Sequence, residues 1–133
     1  MIEGISHITF VVKNLDRTAR LFLEVLDGEE VYSSGKKQFS IAKEKFFLVG
    51  GQWIAIMEGE SPGKKSYEHI AFKIKEEEYE LYEERILRLG LEKKPGRLRV
   101  EGEGRSLYFY DFDNHLFELH TGTLAGRLER YGE

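Results

Sequence analysis

Two histidines and one glutamate are the side chains in this sequence whose types and spacing could do chemistry. His7 lies in Ile-Ser-His-Ile-Thr-Phe-Val-Val at 5–12, and His69 in Tyr-Glu-His-Ile-Ala-Phe-Lys-Ile-Lys at 67–75. The two stretches superpose at an offset of 62 residues (69 − 7), with His, Ile, Phe and Lys recurring. Glu118 stands between Phe117 and Leu119 in an apolar run, where a carboxylate is seldom buried unless it is paired or bound to a metal. Taken alone, each has a bland reading: a strand histidine in a satisfied setting, a glutamate on a solvent face. Together, two imidazoles at symmetric positions and one carboxylate suit a divalent first-row metal with open positions for water or substrate. The same offset carries Glu118 onto Ile56, so a symmetric fourth ligand is missing, as a Lewis-acid site needs. Glu58, two residues on, is the less favoured substitute. His115 and His120 are read as supporting or structural groups.

The elements that position these residues form a repeat. Residues 5–12 read as a strand rich in β-branched residues, with His7 and Thr9 on one face. Asn14 or Asp16 can cap a helix carrying Leu15, Ala19, Phe22, Leu23 and Leu26 at helical spacing, which Gly28 ends. Strands follow at Val31 to Ser33, Phe39 to Ala42, Phe46 to Val49 and Trp53 to Met57, with Gly50-Gly51 as a hairpin turn. Ser61 to Lys65 reads as a linker. The second half repeats the order: a strand through His69, a helix with Tyr79, Tyr82, Ile86 and Leu89 on one face, Gly90 at its end, then strands to His120. The glutamates at 76–78 lie where a helix dipole favours them. Residues 105–120 hold two apolar runs, Leu107 to Tyr110 and Leu116 to Leu119, around the turn Asp111-Phe112-Asp113-Asn114. The expected fold is α+β, two paired βαβββ modules at about 1–60 and 66–133 in a single domain.

The 133 residues, 41% hydrophobic with nine Phe, seven Tyr and one Trp, are enough for a core without staples. No cysteine is present, which excludes disulfides, thiolate zinc sites and a cysteine nucleophile. Twenty basic residues interspersed among 24 acidic ones leave a formal charge of −4 and no basic stripe for nucleic acid. The N-terminus lacks the pattern of a signal peptide, and no apolar run approaches the ~20 residues of a membrane span. A cytoplasmic protein is expected.

The paired modules with His7, His69 and Glu118 resemble the vicinal oxygen chelate superfamily of glyoxalase I, extradiol dioxygenases and bleomycin-binding proteins. Within it, His-Ile-Thr-Phe-Val-Val at 7–12, Glu-Gly-Glu-Gly-Arg-Ser-Leu-Tyr-Phe-Tyr-Asp at 101–111 and His-Leu-Phe-Glu-Leu-His-Thr-Gly-Thr-Leu at 115–124 resemble the fosfomycin-resistance enzymes over nearly the whole chain. The resemblance is nearest to the branch that adds water to the fosfomycin epoxide. It implies Mn²⁺ held by His7, His69 and Glu118, and a homodimer in which one chain supplies His7 and the other the remaining ligands. It also implies a phosphonate site with Thr9, Ser106, Tyr108 and Arg127. A family lysine has no clean counterpart: Leu98 falls near its place, between Arg97 and Arg99, and Arg99 is favoured. Gly102 and Gly104 permit a loop whose N–H groups could face an anion, although such a turn is more often only a turn.

Glu44, in Lys43-Glu44-Lys45, decides the branch. By itself it reads as a solvated turn charge. In the hydrolase branch a glutamate at this place is general base toward water, whereas a thiol nucleophile does not need one. The expected function is a Mn²⁺-dependent fosfomycin epoxide hydrolase. The alternatives are a thiol transferase on the same substrate and a non-catalytic drug-binding protein, the latter disfavoured because all three metal ligands are present.

Overall fold

The computed structural model describes residues 1–35, 42–61, 63–97 and 99–132. The chain divides into two compact units: Met1–Lys64 with Phe112–Asn114, and Lys65–Asp111 with His115–Glu133. Each unit is built on one four-stranded mixed sheet.

In the first unit β1 (His7–Val12) leads into α1 (Leu15–Arg20), which continues as a π-helical turn over Leu21–Val25. Asn14 caps the helix by accepting the Arg17 N–H at 2.9 Å. The expected stop at Gly28 is shared by two residues. Asp27 takes the left-handed conformation (φ 54°), and the Gly28 N–H reaches the Phe22 carbonyl at 2.7 Å. A Cβ on Gly28 would sit 2.8 Å from that carbonyl oxygen, so glycine serves close approach here. Then come β2 (Glu29–Ser33), β3 (Glu44–Val49) and β4 (Gln52–Glu58), ordered β1-β4-β3-β2. Gly50 and Gly51, at φ 56° and 82°, make the β3–β4 turn. The strand expected at Phe39 to Ala42 lies largely outside the described residues, and Ala42 is not in a strand. Val12, Phe22, Phe47, Ile54 and Ile56 are fully buried, with Phe22 stacked on Phe47 at 5.0 Å.

In the second unit β5 (His69–Lys73) is followed by a 3₁₀ turn over Glu76–Glu78 and by α2 (Tyr79–Arg88), then β6 (Lys93–Lys94), β7 (Ser106–Tyr110), β8 (Leu116–His120) and α3 (Leu124–Tyr131). The sheet order is β5-β8-β7-β6, matching the first unit. Its core holds Ile86, Leu107, Phe109, Phe117 and Leu119.

Paired residues in adjacent strands share a face. In the first sheet β1 and β4 pair His7 with Trp53 and Thr9 with Ala55, and β3 and β4 pair Glu44 with Met57. His7, Thr9 and Glu44 therefore share one face. In the second sheet β5 and β8 pair Ala71 with Glu118, while β7 and β8 pair Ser106 with His120 and Tyr108 with Glu118. His69, Glu118, His120, Ser106 and Tyr108 share the corresponding face. This register corrects the symmetry argument. The counterpart of Glu118 is Ala55, not Ile56, which is fully buried on the opposite face. Glu58 pairs with Val12 and shares that opposite face, so it cannot be a substitute ligand.

Candidate active site

Glu118 is 5% exposed on β8, and its surroundings are polar. Its Oε1 lies 2.9 Å from His69 Nε2. The other ring nitrogen of His69, Nδ1, is 2.6 Å from the Tyr67 carbonyl. A carbonyl only accepts, so Nδ1 carries a proton, and this hydrogen bond turns Nε2 toward Glu118, the nitrogen a metal between them would bind.

Ser106 Oγ donates to Glu118 Oε2 at 2.5 Å. Having spent its proton, it accepts from His120 Nδ1 at 2.8 Å and from Arg99 Nη2 at 2.9 Å. His120 is therefore neutral, and its Nε2 accepts from Arg127 Nη2 at 3.3 Å. Burial lowers the His120 pKa; Arg127, Arg99 and Lys73 reinforce this against the pull of Glu118. Arg99 Nη2 also donates to Tyr108 Oη at 2.8 Å. Burial, the Tyr67 hydroxyl and the charge of Glu118 raise the Tyr108 pKa, so the phenol stays protonated. Burial alone would raise the Glu118 pKa, but hydrogen bonds from Ser106 and Tyr108 oppose it and hold the carboxylate below its ordinary value.

His69, Glu118, His120, Tyr108 and Tyr67 line a cavity of about 490 Å³ together with Arg97, Arg99 and Arg127. Its cationic excess and size suit a small anion. Arg99 Nη1 is buried with no hydrogen-bond partner among the described residues. Arg97 is committed to the buried carboxylate of Glu103, which favours Arg99 over Arg97 as an anion donor. The Gly102–Gly104 loop grips its own Glu103, which accepts the Val100 N–H at 2.7 Å; the expectation that the loop faces an outside anion has no support there. Leu98 lies outside the described residues.

His7 and Thr9 are exposed on the first unit's sheet. His7 stacks on Trp53 at 4.1 Å, and its Nδ1 lies 3.0 Å from Ser6 Oγ. Glu44, half-buried, opens β3, with its backbone N–H on Ser34 Oγ at 3.0 Å. The described residues hold no group of three metal-ligating His, Asp or Glu side chains; His69 and Glu118 meet, and His7 belongs to the other unit. The donors suit Mn²⁺, with one buried carboxylate and an imidazole whose Nε2 points at it from 2.9 Å. His115, held by Asp111 at 2.7 Å beside the β7–β8 turn, is structural.

The family model of the glyoxalase/bleomycin resistance protein/dioxygenase superfamily matches residues 4–119. The fosfomycin resistance protein FosX of Listeria monocytogenes is 61% identical over 133 residues, 100% of both chains. The chain belongs to the FosX family of that superfamily. A crystal structure of a point mutant of the Listeria monocytogenes FosX, complexed with Mn(II) and 1S,2S-dihydroxypropylphosphonic acid, superposes with a TM-score of 0.90 at 58% identity, covering 98% of this chain and 99% of that one. The metallothiol transferase FosB of Shouchella clausii is more distant, 40% identical over 98% of this chain and 88% of its own.

Trp53 and Tyr67 are site neighbours that the sequence reading passed over. Tyr67 sets its ring edge toward His69 at 4.9 Å and its hydroxyl 3.4 Å from that of Tyr108. Its signal was present: it precedes His69 by two residues, the spacing of one strand face. Trp53 is found only from the β1–β4 register.

Proposed function

We propose that this chain is a Mn²⁺-dependent hydrolase that opens the epoxide of fosfomycin with water to give a dihydroxypropylphosphonic acid. The observation that carries this reading is the buried Glu118–His69 donor pair set against the Arg99–Ser106–Tyr108 cluster. It occurs in a chain that matches FosX along its whole length.

His69 and Glu118 of one subunit and the partner subunit's His7 would hold the metal, whose charge stabilises negative charge developing on the epoxide oxygen. Arg99, Arg127, Ser106 and Tyr108 bind the phosphonate, with the guanidinium groups supplying charge-assisted hydrogen bonds. Thr9, on the face of His7, meets the substrate beside the metal. Glu44 takes the proton from water as the water oxygen bonds to an epoxide carbon. The C–O bond breaks, the ring oxygen takes up a proton, and the product is a diol.

A homodimer, in which one chain supplies His7 and the other His69 and Glu118, is part of the reading, as the family resemblance implies. The whole chain acts as one glyoxalase-like domain, as the family match running through both units supports. No helix among the described residues is long and apolar enough to cross a membrane, and the absence of cysteine fits a cytoplasmic setting. The test is purified protein with Mn²⁺ and fosfomycin in ¹⁸O-water, with and without a thiol, followed by phosphorus NMR. Labelled diol without thiol is expected. An adduct formed only with thiol, or no turnover, would displace the proposal.

A further inference from the structure

Glu103 is 1% exposed yet does not line the cavity. A buried carboxylate requires partners, and Glu103 draws them from two elements. Arg97 donates to it twice, at 2.8 and 3.3 Å. The Val100 N–H donates at 2.7 Å. The Tyr131 hydroxyl donates from the last residue of α3, and Arg97 Nη2 closes the ring on that hydroxyl at 3.2 Å. Arg97 and Val100 bracket Arg99 in the chain. Tyr131 lies four residues from Arg127, on the same side of α3. The loop is also seated by contact: a Cβ on Gly104 would meet Gly122 N at 2.5 Å, and Gly122 belongs to the segment leading into α3.

We propose that Glu103 is a positioning residue for phosphonate binding, fixing the loop that carries Arg99 and the helix that carries Arg127 in one setting. The inference rests on the reading of those two arginines as phosphonate donors. Two guanidinium groups on separate elements hold an anion well only if their spacing is set beforehand, because ordering them at binding subtracts from affinity. Glu103 touches neither substrate nor metal in this scheme; it acts through Arg99 and Arg127.

The test compares Glu103→Gln and Tyr131→Phe with Arg99→Ala and Arg127→Ala, all below their unfolding temperatures. The readouts are Mn²⁺ affinity by electron paramagnetic resonance without substrate, kcat and KM for fosfomycin, and the inhibition constant of inorganic sulfate. Tyr131→Phe is expected to keep Mn²⁺ affinity and kcat while raising KM and the sulfate constant about three- to tenfold, the effect of one lost hydrogen bond. Glu103→Gln should do more of the same, and if it fails to fold, Tyr131→Phe decides alone. Wild-type KM and sulfate binding in both clamp variants, with both raised in the arginine variants, would overturn the positioning role and leave the site reading intact. Unchanged values in the arginine variants as well would overturn the site reading, and this inference with it. An equal loss of Mn²⁺ affinity in Tyr131→Phe would mean general loosening and would also overturn it.

Discussion

Ser106 Oγ lies 2.5 Å from Glu118 Oε2 and gives it its only proton. That hydroxyl also accepts from Arg99 and His120, so one atom joins the proposed metal ligand to the proposed anion site. Removing it leaves a buried guanidinium and a buried carboxylate each one partner short, which is costlier than never having made the bond. Ser106→Ala should therefore weaken Mn²⁺ binding about 10- to 100-fold, as loss of a group that orients a metal ligand does, and raise the fosfomycin KM. Mn²⁺ titration and steady-state kinetics check both. A variant altered in KM alone would separate the two roles.

His69→Ala and Glu118→Ala should each abolish tight Mn²⁺ binding and diol formation together. As the proposed ligands, Glu118 would supply the charge and His69 its Nε2, and losing either would remove a ligand and part of the template. Circular dichroism should show the chain still folded. Wild-type Mn²⁺ affinity in either variant would mean that the ligands are misassigned.

If the partner subunit's His7 completes each site, two dead chains can restore one another. Mixed dimers of His7→Ala and Glu118→Ala chains should contain about one intact site, since the wild-type His7 of one chain meets the wild-type Glu118 of the other. Activity on co-refolding the inactive variants checks this. No recovery would mean that each site is built within one chain.

Glu103 gives a pH dependence separate from catalysis. Hydrogen bonds from Arg97, then from Tyr131 and the Val100 N–H, hold its carboxyl well below the ordinary value. A group with a depressed folded pKa stabilises fully above its unfolded value, about 4.3, and loses that contribution as pH falls toward the folded one. Glu103→Gln lacks the contribution at every pH. Its deficit in melting temperature should be largest at neutral pH and shrink below about pH 4. A constant deficit from pH 7 to pH 3 would contradict the assignment.

Much of this was legible in the sequence because strand periodicity and the His7/His69 repeat depend on local spacing. The β5–β8 face follows from alternation once the strands are placed, so Glu118, Ser106 and Tyr108 could be read together. The equivalence of Glu118 with Ala55 could not. A sequence offset counts residues, whereas register counts hydrogen-bonded pairs, and the two modules differ by one residue between those strands. Trp53 stacking on His7 and the pairing of Arg97 with Glu103 were hidden for the same reason. Each is a contact between side chains whose partners alternation does not specify.

In the proposed mechanism Glu44 is the residue that separates hydrolysis from thiol transfer. Register places its side chain on the face of His7 and Thr9, and its backbone is tied to Ser34 in both directions, N–H to Oγ and carbonyl to N–H, each at 3.0 Å. A carboxylate on so fixed a strand end can be held toward a water molecule. Water is a weak nucleophile at neutral pH, and a positioned base contributes roughly 10²–10⁴-fold to such a step. Glu44→Gln keeps the shape and cannot take the proton, so diol formation should fall by about that factor while Mn²⁺ affinity stays at the wild-type value. Metal titration and phosphorus NMR on the same preparation check the two together. Diol at a near wild-type rate would assign the base elsewhere. A variant that forms a thiol adduct while losing the diol would locate in this one carboxylate the choice between water and thiol.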